Sequence, residues 1–242
     1  MDTTQIIILF LFCTGASFVQ RVSGFGFGIF IMTMLPYLLP SFGEATTLSG
    51  MLSATQSLFI FFTHYKYVKW KQLLPMLISF LVVSFIAVKY VAEAAETHLK
   101  LLLGIMLIVM SLYFLFFDEK IKITPSRKLQ VGLGSLSGAM GGLFGMQGPP
   151  AVLYYIAAEK NKECYLAMLQ TYFLIGNIAM TLYRQQFGLL TTEVLYSWCY
   201  AVLGIPIGSW IGKWVFEKIS AKTLKRIVYL YMIVSGIVAI IS

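Results

Sequence analysis

The chain has 242 residues, of which 59% are hydrophobic and only 12% charged, with a mean hydropathy of +0.82. Soluble domains carry roughly 25% charged residues, so the composition excludes an ordinary soluble fold and indicates an all-α, polytopic membrane protein. The net charge of +8 then acts as an orientation signal, and no nucleic-acid partner is expected.

The first apolar stretch, 5–40, is interrupted by Val22-Ser23-Gly24-Phe25-Gly26-Phe27-Gly28. Glycine at every second position breaks a helix and exposes backbone that needs protein or water around it within a membrane. The arms on either side are shorter than the roughly 20 residues of a full span, so 5–40 is expected to form a broken or re-entrant hairpin. No basic segment precedes it, so no cleaved signal peptide is expected. Spans follow at 45–63, 72–92 and 99–117. A second hairpin, 129–158, is broken at Gly145-Met146-Gln147-Gly148-Pro149-Pro150, and further spans follow at 164–183, 194–212 and 227–241. Cys13, Cys164 and Cys199 lie far apart within or beside apolar runs and read as packing residues.

The order of features repeats. At an offset of 121, Gly24 falls on Gly145, Gln56 on Asn177 and His64 on Arg184. The expected domains are 1–122 and 123–242, each a hairpin plus three spans. With hairpins that enter and leave on one face, Lys66, Lys69, Lys71, Lys120, Lys122, Arg127, Lys128, Lys160, Lys162, Lys213, Lys218, Lys222, Lys225 and Arg226 share a face. The other face receives only Lys89, Lys100 and Arg184. Counting each broken segment as one through-going span destroys this asymmetry, so the positive-inside rule favours the hairpins. A hairpin plus three spans makes an odd number of crossings, which inverts the second repeat and puts both termini outside the cytoplasm.

Paired Gly/Pro interruptions in corresponding places of two halves point to a transporter's binding site. Half-helix N-termini near 24–28 and 148–150 would offer backbone N–H groups and the positive dipole end to an anion. Expected substrate-binding residues are Ser23, Gly24, Phe25, Gly26, Phe27 and Gly28 at the first break, with Gly145, Gln147, Gly148 and Pro149 at the second. Arg21, one turn before Gly24, is a candidate cation for the anion, with snorkelling as its alternative role. Gln56, Gln170 and Asn177 are candidate amide ligands that could equally hold helices together. His64 and His98 lie at span ends, and all ten acids map to termini or connections. No catalytic constellation, metal site, cofactor or carboxylate relay is therefore indicated.

On Gly24-Phe25-Gly26-Phe27-Gly28 after a short N-terminal helix, and on the counterpart Gly138, Gly141-Gly142, Gly145 and Gly148-Pro149-Pro150 about 120 residues later, the chain resembles the TauE/SafE family of sulfite and organosulfonate exporters. The resemblance covers nearly the whole chain. It implies movement of a small, often sulfur-containing anion across the cell (cytoplasmic) membrane. The expected protein is thus a non-enzymatic secondary permease working by alternating access, one half rocking against the other about a site between the hairpin tips. A passive anion channel is the nearest alternative and a membrane-embedded enzyme a more distant one. The expected partners are a small anionic substrate and the lipid bilayer, with a homo-oligomer left open.

Overall fold

In a computed structural model describing residues 2–117, 124–216 and 221–241, the secondary structure is helical throughout. The first half runs α1 (Thr3–Ser23), α2 (Phe27–Ile31), α3 (Leu35–Leu38), α4 (Phe42–His64), α5 (Trp70–Glu93) and α6 (Glu96–Phe117). The second runs α7 (Arg127–Phe144), α8 (Gly148–Ala158), α9 (Lys162–Gln186), α10 (Thr192–Ala201), α11 (Gly204–Phe216) and α12 (Ala221–Ile241). Asp2, Ser41, Ser126, Asn161 and Thr191 cap α1, α4, α7, α9 and α10 by accepting a hydrogen bond from a first-turn N–H. Thr3–Val22, Trp70–Glu93, Glu96–Phe116, Lys162–Gln186 and Thr192–Val215 are each long and apolar enough to cross a membrane.

Two features differ from the sequence expectation. The first arm of the first hairpin does not fall short of a bilayer: α1 has 21 residues, a length of about 31 Å at 1.5 Å per residue. Its helix begins on the Asp2 capping box and continues through Arg21 to Ser23, past the end of the apolar run. The return arm is short, because turn residues 32–34 split it into α2 and α3, of 5 and 4 residues. The span expected at 194–212 is likewise two helices. Pro206 has no N–H for the Val202 carbonyl, and the Ile205 N–H donates to that oxygen instead (3.1 Å), tightening the chain between α10 and α11.

The main helix pairs are α5 with α7, α4 with α9, α1 with α11 and α6 with α12. Exchanging the halves turns α1·α11 into α7·α5 and returns α4·α9 and α6·α12 to themselves. Close approach comes from glycines spaced by four, the small-residue packing expected of helices in lipid. On α11, a Cβ at Gly204 would lie 2.8 Å from Thr14 Oγ1, one at Gly208 would overlap the Thr14 carbonyl oxygen, and one at Gly212 would lie 2.9 Å from Arg21 Cβ. On α7, Gly134, Gly138 and Gly142 press in the same way on Met76, Phe80 and Ala87 of α5. Gly104 and Gly236 do so reciprocally across α6 and α12.

One end of the bundle is fastened by two polar contacts: His64 Nε2 lies 2.9 Å from Glu163 Oε2, and Lys69 Nζ forms an ion pair with Glu159 Oε2 (2.6 Å). The hydrogen bond to Glu159 holds the Lys69 ammonium above its usual pKa.

Candidate functional site

The two glycine breaks have the same local construction. Gly24 (φ 83°) ends α1 with its N–H donating to the Gln20 carbonyl at 2.8 Å. Gly145 (φ 69°) ends α7 with its N–H donating to the Gly141 carbonyl at 2.9 Å. Both occupy the left-handed region, which glycine adopts without strain, and so let the chain turn sharply after each helix. The breaks touch: a Cβ on Gly28 would overlap the Gly145 carbonyl oxygen.

Beside that contact is a cavity of about 20 Å³, room for a water and too little for a sulfur oxyanion. Gln20, Gly26, Phe27, Gly28 and Ile29 line it from the first break; Gly145, Met146, Gln147 and Gly148 line it from the second. The walls are completed by Ser53 and Ser57 of α4 and by Phe173 and Asn177 of α9. Gln20, Ser57, Gln147 and Asn177 are buried. Gln147 Oε1, Ser57 Oγ and Asn177 Nδ2 have no hydrogen-bond partner among the described residues. Gln147 Nε2 donates to the Phe173 carbonyl (3.3 Å), and the Ser137 hydroxyl donates to the Gln147 carbonyl (2.5 Å), which fixes the second tip against α7 and α9.

Side chains, more than backbone amides, give this cavity its polarity. At the N-terminus of α8 the second and third positions are Pro149 and Pro150, which have no N–H, so Gly148 alone of the first three can donate. At α2 the Phe27 N–H donates to Gln20 Oε1 at 3.3 Å. The amide-rich tips expected from the sequence are thus amide-poor at the second break and partly occupied at the first.

Of the sequence-derived candidates, Gly26, Phe27, Gly28, Gly145, Gln147, Gly148 and Asn177 meet at the cavity. The others stand apart. Arg21 is exposed on the last turn of α1, against Gly212. Gln56 joins a helix-binding network: its Oε1 accepts from Ser17 Oγ (2.9 Å) and its Nε2 donates to Ser209 Oγ (3.2 Å). Gln170 Nε2 reaches the Gly24 carbonyl at 3.4 Å and so supports the first break from behind. Phe25 packs on Phe114 and faces a separate apolar cavity. Pro149 is buried in the first turn of α8. The side chain of Ser23 lies outside the described residues, as do Lys120, Lys122 and Lys218 and the side chains of Lys222, Lys225 and Arg226.

Gln20, Ser53 and Ser57 are site residues that the sequence reading missed. The serines had a readable signal, since Ser49, Ser53 and Ser57 recur every four residues on one face of α4. Arg184 was also misplaced: expected at an outer face, it is fully buried. Its Nη2 donates to the carbonyls of Gly141 (3.1 Å) and Gly142 (3.3 Å), in the last turn of α7 just before the second break.

The family described as "Sulfite exporter TauE/SafE" matches residues 8–239. A curated relative from Cupriavidus necator, named "Probable sulfite/organosulfonate exporter TauE", is 24% identical over 223 residues, covering 88% of this chain and 85% of the relative. No solved structure matches the chain. A match from near one terminus to near the other, on a multi-pass helical chain, places it among transporters rather than enzymes: the chain belongs to the TauE/SafE sulfite exporter family.

Proposed function

We propose that the protein exports sulfite or a small organosulfonate by alternating access, holding the anion in the polar cavity between the two glycine breaks. The observation that carries this reading is the convergence on one cavity of both breaks and of the buried, unpartnered polar groups of Gln147, Ser57 and Asn177. Buried polar groups are rarely left unpaired, and a neutral, amide- and hydroxyl-lined pocket can bind an oxyanion through hydrogen bonds. Family membership and the relative's name supply the anion class. The small volume supports a carrier over an open pore, because an anion would enter only after the walls have moved apart.

We further propose that the two halves are inverted repeats, with both termini outside the cytoplasm. The pairing that survives exchange of the halves and the lysine-rich single face support this.

Reconstituted vesicles loaded with radiolabelled sulfite, sulfate, sulfoacetate and taurine test the substrate. Efflux of at least one of the sulfur anions above protein-free vesicles is expected, and Gln147→Ala should lower its rate about tenfold at subsaturating concentration. Equal efflux from protein-free vesicles for every anion would reject the reading.

A further inference from the structure

Arg184 is the one fully buried arginine among the described residues. It has no carboxylate partner among them. An isolated charge in the interior of a membrane protein is expensive and is usually kept for a function. Two carbonyls of α7 hold Nη2, while Nε and Nη1 have no acceptor among the described residues. Its location excludes the idle alternative of a side chain extending to water, since none of it is exposed.

The guanidinium lies beside the cavity. A Cβ on Gly50 of α4 would sit 2.9 Å from Arg184 Nη1 and 3.8 Å from Asn177 Oδ1, and Asn177 is a cavity wall. Three residues further along α4, Ser53 is another wall, about 4.5 Å away along the helix axis. Long side chains on a helix lean toward its N-terminus, which brings the head of Arg184 back from the last turn of α9 toward Asn177. A side chain at position 50 would meet only the flexible end of Arg184 at close range, so its charge, more than its size, would decide what the guanidinium binds.

We propose that Arg184 is a cationic station on the anion's path, one helical turn from the cavity, where the transported oxyanion accepts hydrogen bonds from the free guanidinium nitrogens. This rests on the transport reading above. In the absence of anion, the carbonyls of Gly141 and Gly142 keep the arginine in place. They also couple it to the end of α7, so that arrival of an anion at Arg184 is felt at the second break.

The test is to supply the anion from within the chain. Gly50→Asp puts a carboxylate against Nη1, and the contact is relieved by a small shift of the flexible guanidinium. Purified protein is melted with and without sulfite, and uptake of radiolabelled sulfite is measured in vesicles. Wild type, the neutral analogue Gly50→Asn and the exposed-charge control Lys89→Gln should all gain melting temperature with sulfite. Gly50→Asp should melt at or above the wild-type temperature, gain nothing from sulfite, and lose about tenfold or more of its subsaturating uptake. Arg184→Gln should also lose the sulfite response.

An unchanged apparent affinity for sulfite in folded Gly50→Asp overturns the station, as does a Gly50→Asp that misfolds where Gly50→Asn folds. Should neither position-50 variant fold, Arg184→Gln and Arg184→Lys decide, and wild-type affinity in both overturns it. Where wild type moves sulfoacetate and not sulfite, the same comparison is made with sulfoacetate; a wild-type protein that neither binds nor moves any of the sulfur anions removes the transport reading and the station together. A responsive wild type with equally responsive variants removes the station alone.

Discussion

A methyl group at Gly28 has nowhere to go, because the Gly145 carbonyl of the opposite break already occupies the place. Gly28→Ala should therefore push the two breaks apart, with a loss of about 1–3 kcal/mol visible as a lower melting temperature together with lost sulfite uptake. A variant with wild-type melting and uptake would show that the tips need not touch. Those glycines were legible in the sequence because glycine within an apolar run interrupts a helix; Gln147 followed from its place inside the second break, and Asn177 from a span expected to pack beside the hairpins. Arg184 was not legible. It stands three residues before the helix-ending Phe187, next to a polar connection, where charge normally meets water; only the inward fold of its side chain onto Gly141 and Gly142 reveals the burial. Arg21 misled in the opposite sense, for adjacency to a glycine break in sequence did not aim it at the cavity.

Between elements, glycine ladders set the approach and a few polar contacts fix the register. The single Ser17 hydroxyl proton of α1 is shared between the Ile205 carbonyl (2.7 Å) and Gln56 Oε1 (2.9 Å), linking α1, α4 and α11 at one buried point. Ser17→Ala should lower stability by about 1 kcal/mol with the KM for sulfite unchanged, as thermal melting and vesicle kinetics would show. A raised KM would return Gln56 to the binding site. The glycine spacing on α7 and α11 was present in the sequence, but a ladder does not say which helix it faces. On α7 it meets α5 of the other half, and on α11 it meets α1. The break between α10 and α11 needed more than hydropathy as well, since its signs, Gly204 and Pro206, lie inside the apolar stretch 194–212.

At the scale of the whole molecule, the contacts of His64 with Glu163 and of Lys69 with Glu159 gather the connection after α4 at the Lys162 end of α9, with Gln186 at the far end. Its 25 residues extend about 37 Å, more than a hydrocarbon core. In a background without Cys13, Cys164 and Cys199, cysteines at Lys66 and Gln186 should label from opposite sides of the membrane, and labelling from one side would end the inverted arrangement. The α1·α11 and α5·α7 pairs also bear on what can move. Each joins a helix from before residue 118 to one from after residue 123, so the main helix packing ties the first half of the chain to the second. Severed between Phe117 and Thr124, neither fragment would keep a finished interior; each would be left with glycine-lined grooves shaped for the other. The bodies that tilt during a transport cycle should then be mixed pairs of this kind, with seams that the linear order of the polypeptide does not mark.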